Sequence, residues 1–387
     1  MKLCNFRPLC VIALLATLTG LSCLVSPWLS LVVGLGLGVL LSCTKTPLSF
    51  KVVALTVYVA VITSFLLHTA FNPEPVYRTY DPDAGLRGVV LRYANGVLHQ
   101  FLSDTNAELL FSIMFGNKAG LPWLVRQEFS VAGIAHLLAV SGLHVGLLAG
   151  VLTWLLKIIR VPRRARVYCL ASLLMFYAYL CGWQYAVLRA MIMCLVYELA
   201  RHHQRQVDPL TAMSVALTII LILFPYSLKS ASFMLTFSCT LGYILFYRGL
   251  LKIVRFKLLA MYLAVNIGSL PFIIYCFGAV AIYGIVANLV LVPLLVVAYY
   301  VGMLAVSTYL AGCLLWLVDP LLTVASGVCA GIARLPNATL MVGSPALAIV
   351  LYLLGLLLLS RFVLISRKVK YPLATLLFAC YFLLLVV

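Results

Sequence analysis

Thirteen apolar runs, set apart by short basic stretches, leave this chain few ways to fold. They lie near residues 9–24, 29–43, 52–70, 134–156, 167–182, 185–200, 210–224, 231–247, 258–275, 280–300, 303–318, 344–360 and 371–387. A helix of about 20 apolar residues crosses a bilayer. Several runs fall short of that, so their boundaries are loose. The alternation that a barrel strand requires is absent, which leaves helices. Hydrophobic residues are 65% of the 387 and charged residues 9%, a balance that excludes a soluble globular domain. The expected fold class is an all-α polytopic membrane protein with about 13 transmembrane helices, plus short amphipathic helices on the outer membrane surface.

Lysine and arginine set the orientation. Lys2 and Arg7 place the N-terminus inside. Thirteen crossings then keep Lys45 and Lys51, Lys157 to Arg166, Arg201 and Arg205, Arg248 to Lys257, and Arg361 to Lys370 on the same side. Nineteen basic residues fall inside and seven outside, with Arg189 alone within a span. A missed span would reverse this pattern downstream. The C-terminus is therefore expected to face outward. The formal charge of +18 is mostly this topology signal and does not by itself argue for nucleic acid.

The twelve cysteines form no Cys-x-x-Cys pair and mostly sit within spans, where a thiol behaves as a small apolar group. No disulfide framework, metal site or cofactor follows. The first run reads as an uncleaved span, because Gly20 stands where a lipoprotein-type site ending at Cys23 wants an aliphatic residue.

Residues 71–105 are the longest polar stretch and hold Glu74, Asp81, Asp83 and Asp104. So short a segment buries no core of its own. It reads as an outward-facing linker or docking strip, with a short hairpin at Asn95-Gly96. Thr105-Asn-Ala-Glu108 has capping-box spacing and opens a short helix that Gly116 closes. Pro122 opens another, to Val131, whose Trp123, Leu124 and Phe129 suit the outer membrane surface. At Gly133 the chain enters the membrane.

The segment His136-Leu-Leu-Ala-Val-Ser-Gly-Leu-His-Val-Gly-Leu-Leu-Ala-Gly150 places polar groups inside an apolar run, where they are costly. On one continuous helix Ser141 lies about 60° to one side of His144 and His136 about 80° to the other. Gly142, Gly146 and Gly150 occupy the opposite half, a stripe that admits a neighbouring helix. Two readings of the Ser/His face stand side by side. It lines a polar path, or Ser141 and His144 bond neighbouring backbone carbonyls, with Gly142 as a kink.

An enzyme is not expected. Ala139 replaces the first glycine of the intramembrane serine-protease turn, and no later span supplies a histidine base. Neither a zinc-protease nor a phosphate-loop motif occurs. Arg189 enters its span about one turn deep, where it either snorkels beside Trp183 and Tyr185 or holds a phosphate at an entrance. Pro271, Asn288 and Pro293 mark helix breaks, which occur both in transport paths and as ordinary kinks.

The Ala139-Val-Ser-Gly-Leu-His144 core, with its flanks from Phe129 to Leu148, resembles the signature of the ComEC family of competence proteins. Leu109 to Lys118, Arg189-Ala-Met-Ile-Met193, Pro225, Phe233-Met-Leu-Thr-Phe237, Leu270-Pro271 and Ala287-Asn-Leu-Val-Leu-Val-Pro293 follow in family order. Met234-Leu-Thr236 departs from the family's usual Gln-Leu-Ser. The resemblance implies residues 1–70 as N-terminal transmembrane helices, 71–105 as a linker in place of the family's OB-like domain, and 106–387 as a competence channel domain. No metallo-β-lactamase-like nuclease domain is expected. The implied function is import of single-stranded transforming DNA across a bacterial inner membrane. His136, Ser141, His144 and Arg189 would line its path. The lipid bilayer, an outer DNA receptor, a cytoplasmic motor and a separate nuclease would be its partners. A small-molecule or lipid transporter would use the same helix breaks, and a degenerate relative without an open path is a further alternative.

Overall fold

A computed structural model describes residues 8–26, 29, 30, 32–37, 47–71, 85–308, 311–342, 352 and 377. The acids Glu74, Asp81 and Asp83, most of the runs at 29–43, 344–360 and 371–387, and the terminal basic clusters lie outside these residues. The described chain is almost wholly helical. Its helices are α1 (Pro8–Val25), α2 (Leu48–Phe71), α3 (Gly85–Phe101), α4 (Asp104–Phe115), α5 (Trp123–Val131), α6 (Gly142–Ile158) and α7 (Arg163–Leu180). Beyond them run α8 (Tyr185–His202), α9 (Pro209–Leu223), α10 (Ala231–Val254), α11 (Lys257–Phe277), α12 (Gly284–Ser307) and α13 (Ala311–Ala333). Within the described residues five helices, α2 and α10 to α13, are long and apolar enough to cross a membrane; α1, α6 and α9 are apolar but shorter.

The chain divides into two compact units, Met1–Tyr80, Leu148–Met175 and Gln184–Phe237 in one, Asp81–Leu147, Phe176–Trp183 and Ser238–Val387 in the other. In the first, α1 packs against α2 and α9, and α9 against α8. Ala16, Ala212 and Ala216 are fully buried, so small side chains let the helices approach. The Tyr58 hydroxyl donates to the Ser30 carbonyl at 2.7 Å.

The second unit is built on α12 and α13. Leu315, Val318, Leu322, Ala325 and Cys329 are buried at helical spacing, while Trp316, Leu317 and Val324 on the other side of α13 are exposed. Two short strands, β1 (Ala279–Ala281) and β2 (Thr339–Met341), pair antiparallel with Ala279 opposite Met341.

Two local expectations give way in this unit. Residues 85–101 form α3, with no hairpin at Asn95-Gly96. Leu91, Ala94 and Leu98 recur at helical spacing and are buried, and that burial outweighs the Asn95-Gly96 turn signal. The α4 helix is buried at nine of its twelve residues; a Cβ on Gly302 of α12 would meet the Leu110 and Met114 side chains. Thr105 and Glu108 make no capping box. The N-cap is Ser103, without a side-chain cap bond, and Glu108 is engaged by His99. Gly116 does close α4, at φ +73° with its N–H on the Ser112 carbonyl, and Pro122 is the N-cap of α5.

A small-residue stripe joins two helices elsewhere in the chain. Among the described residues, a Cβ built on Gly146 or Gly150 meets nothing within 4 Å. Backbones touch instead where α10 crosses α11. A Cβ on Gly242 would lie 2.5 Å from the Ala264 carbonyl oxygen, and one on Gly268 would lie 2.5 Å from the Ser238 oxygen. Ser238-x-x-x-Gly242 and Ala264-x-x-x-Gly268 carry the small-xxx-small spacing.

Candidate functional site

The run read as one helix from 134 to 156 is interrupted. A single 3₁₀ turn covers Ala135–Leu138, Ala139 is extended at φ −121° and ψ 152°, and α6 begins only at Gly142. The angles expected for a continuous helix therefore do not apply. The break is anchored at Gly133, whose φ of +75° suits glycine. Asn288 on α12 holds it there, donating through Nδ2 to the Gly133 carbonyl at 3.3 Å and to the Gly284 carbonyl at 2.7 Å.

Ser141 and His144 cap α6 reciprocally. The His144 N–H donates to Ser141 Oγ at 3.3 Å, and the Ser141 N–H donates to His144 Nδ1 at 3.4 Å. This is the capping-box arrangement with imidazole in place of a carboxylate. Because Nδ1 accepts, a neutral ring carries its proton on Nε2. His144 is fully enclosed, and its Nε2 has no partner among the described residues. The ring stacks on Tyr299 of α12 at 4.4 Å and 19°. From there Tyr299 donates its hydroxyl to Tyr177 of α7 at 3.0 Å, and Tyr177 donates to the Met114 carbonyl of α4 at 2.8 Å. Both side chains thus engage backbone, at each other's N–H groups and not at neighbouring carbonyls.

His136 is exposed, while Leu137, Leu138 and Val140 beside it are buried. It lies within electrostatic reach of Lys118 and of His144. Burial, with Arg126 adding to it, pushes the Lys118 ammonium below its ordinary range. Lys118 is thus the cation beside the broken segment. Arg189 is half-buried on α8 in the other unit.

Pro271 lies within α11 and Pro293 within α12. A proline withholds the N–H that would serve the carbonyl four residues back. For Pro271 that carbonyl is Ile267, and the Tyr352 hydroxyl donates to it at 2.8 Å.

Other polar residues were not singled out by sequence reasoning. Arg87, counted as an outer basic residue, is buried and donates through Nε to the Leu180 carbonyl at 3.0 Å, a cation at the end of α7. Asp319 was placed just past a span ending at 318. It lies inside α13, because that helix runs on to Ala333. An acid flanked by long apolar sequence on both sides was the available signal.

The sequence model of the family described as Competence protein matches residues 113–368. Over 211 residues the chain is 28% identical to ComE operon protein 3 of Bacillus subtilis (strain 168), covering 54% of this chain and 26% of that protein. It is 31% identical over 199 residues to an uncharacterized protein of Aquifex aeolicus (strain VF5), 51% of this chain and 47% of the other. With the uncharacterized protein YcaI of Escherichia coli (strain K12) it shares 24% identity over 234 residues, 55% of this chain and 30% of that protein. The matches thus span between a quarter and a half of these relatives' lengths. No solved structure matches the chain.

Proposed function

The chain belongs to the competence protein family, and from that premise we propose that it forms an inner-membrane channel for single-stranded transforming DNA. The family match encloses the broken segment at 135–142, and that break carries the reading. Irregular backbone at membrane depth is tolerated where it is packed in protein or lines a wet cavity. Half-helix N-termini beside such breaks favour anions. His136 is the side chain of this break that is exposed; its imidazole offers a ring N–H to a phosphodiester oxygen, and Lys118 within electrostatic reach supplies the positive charge. Ser141 and His144 would shape the path by holding the start of α6, and Arg189 would serve as an entrance cation.

Inward passage of an anion opposes an inside-negative potential by about 2.3 kcal/mol per charge per 100 mV. The sequence carries no phosphate-binding loop. A separate cytoplasmic motor would therefore pull the strand, docking on the Lys157–Arg166 and Arg248–Lys257 loops. A separate outer receptor and nuclease would deliver and trim the DNA.

The test is transformation frequency in a deletion strain complemented at matched membrane abundance. Wild type is expected to rescue. His136→Ala is expected to lower frequency at least about tenfold, the loss anticipated when a hydrogen bond to a charged phosphate is removed. Rescue by His136→Ala would return that residue to the surface. Undiminished transformation after deletion would sink the channel reading.

A further inference from the structure

Among the described residues, Asp319 is the acid that lies within a helix long and apolar enough to cross a membrane. It is eight residues past Ala311, about 12 Å along α13 at 1.5 Å per residue. A carboxylate at such depth is expensive unless it is paired or has work to do. No cation stands against it among the described residues.

Its contacts are neutral. Asn106 on α4, itself buried, donates through Nδ2 to Asp319 Oδ1 at 2.8 Å and to Thr323 Oγ1 at 2.9 Å. Thr323 donates to the Asp319 backbone carbonyl at 2.9 Å. The ionisable groups of the packed elements are engaged or placed elsewhere. His99 of α3 meets Asp104 and Glu108 of α4, Arg87 bonds Leu180, Arg126 of α5 bonds Leu121, and Glu128 acts on Cys329. Arg92 is exposed, and Tyr299 of α12 bonds Tyr177.

The surroundings serve two protonation states. The Asn106 amide supplies a donor to a carboxylate oxygen. The neutral acid needs an acceptor for its own proton. Pro320 follows directly and lacks an N–H, so the Trp316 carbonyl, one turn back, is without its helical donor. Helical side chains lean toward that preceding turn.

We propose that Asp319, Asn106, Thr323 and the Trp316 carbonyl form a proton-binding site within the membrane, where Asp319 alternately takes up and releases a proton. The site has a donor for the charged form and an acceptor for the neutral one. It does not depend on DNA being the cargo.

Dicyclohexylcarbodiimide tests this directly. It partitions into apolar surroundings and adds to a protonated carboxyl, whose proton passes to a carbodiimide nitrogen as the carboxyl oxygen bonds the central carbon. The full-length chain, purified in detergent, would be treated at near-neutral pH and mapped by peptide mass spectrometry. The adduct is expected on Asp319 ahead of the other acids and should vanish in Asp319→Asn. Asn106→Leu, which removes the donor, should raise the yield about tenfold, and Pro320→Ala, which returns an N–H to Trp316, should lower it by a similar factor. Pro320→Ala favours the helix, so it also guards against a variant that merely misfolds. Absence of an adduct on Asp319 in the wild-type chain, or equal yields from Pro320→Ala and wild type, would overturn the proposal.

Discussion

Gly133 carries a backbone constraint that no other residue satisfies cheaply. Its φ is +75°, and a Cβ there would lie 2.8 Å from the Ala281 Cβ and 3.1 Å from the Gly284 Cα. Gly133→Ala should destabilise the second unit by about 2 kcal/mol or more, from the left-handed backbone and the contact together. Thermal unfolding in detergent reads this, and an unchanged melting temperature would refute it. The turn itself was legible in the sequence, where a glycine precedes a polar-bearing apolar run. The helix start nine residues later was not. Ser141-x-x-His144 has cap spacing, but histidine is not a usual capping-box partner, and apolar residues on both sides carry no local mark of a break. The Asn288 clasp on Gly133 lies 155 positions away and has no local signature at all.

Between elements, the joint of α3 and α4 depends on pH. His99 places Nδ1 at 3.1 Å from Asp104 Oδ1 and Nε2 at 3.0 Å from Glu108 Oε1, so both ring nitrogens need protons to donate. The hydrogen bond to Glu108, opposed by burial and aided by Asp104, holds the imidazole above its ordinary pKa of 6.5. A raised folded value means the stabilisation is complete below about 6.5 and fades as pH climbs through the folded value. Hydrogen-exchange protection factors across residues 95–108, corrected for the intrinsic base-catalysed rate, should therefore fall from pH 6 to about pH 9, and His99→Gln should flatten that profile; a pH-independent wild-type protection factor would dismiss the clasp. Element identity was legible where local chemistry decides it, as at Gly116 and Pro122. It failed at α3, where buried Leu91, Ala94 and Leu98 outweigh a turn dipeptide. It held for α4, a short helix closed by Gly116 as expected, although the local pattern does not report how thoroughly that helix is buried.

At the scale of the whole molecule, composition and run length were enough for a helical, membrane-embedded fold, because lipid permits little else. The sidedness of each loop is a prediction of its own. In a cysteine-free background, Gln204→Cys should resist a membrane-impermeant maleimide in intact cells, while Lys229→Cys should react; the reverse pattern would invert the orientation. The close crossing of Gly242 and Gly268 was unreadable because small residues at that spacing occur in several runs, and only the packed structure tells which stripe is used. Arg255 and Phe256 alone separate α10 from α11. That arrangement bears on synthesis: the two helices leave the ribosome one after the other, and their glycine contact needs nothing made later. A hairpin can thus close at the insertion machinery before α12 and α13 emerge, giving the growing protein an early seed against which later segments assemble.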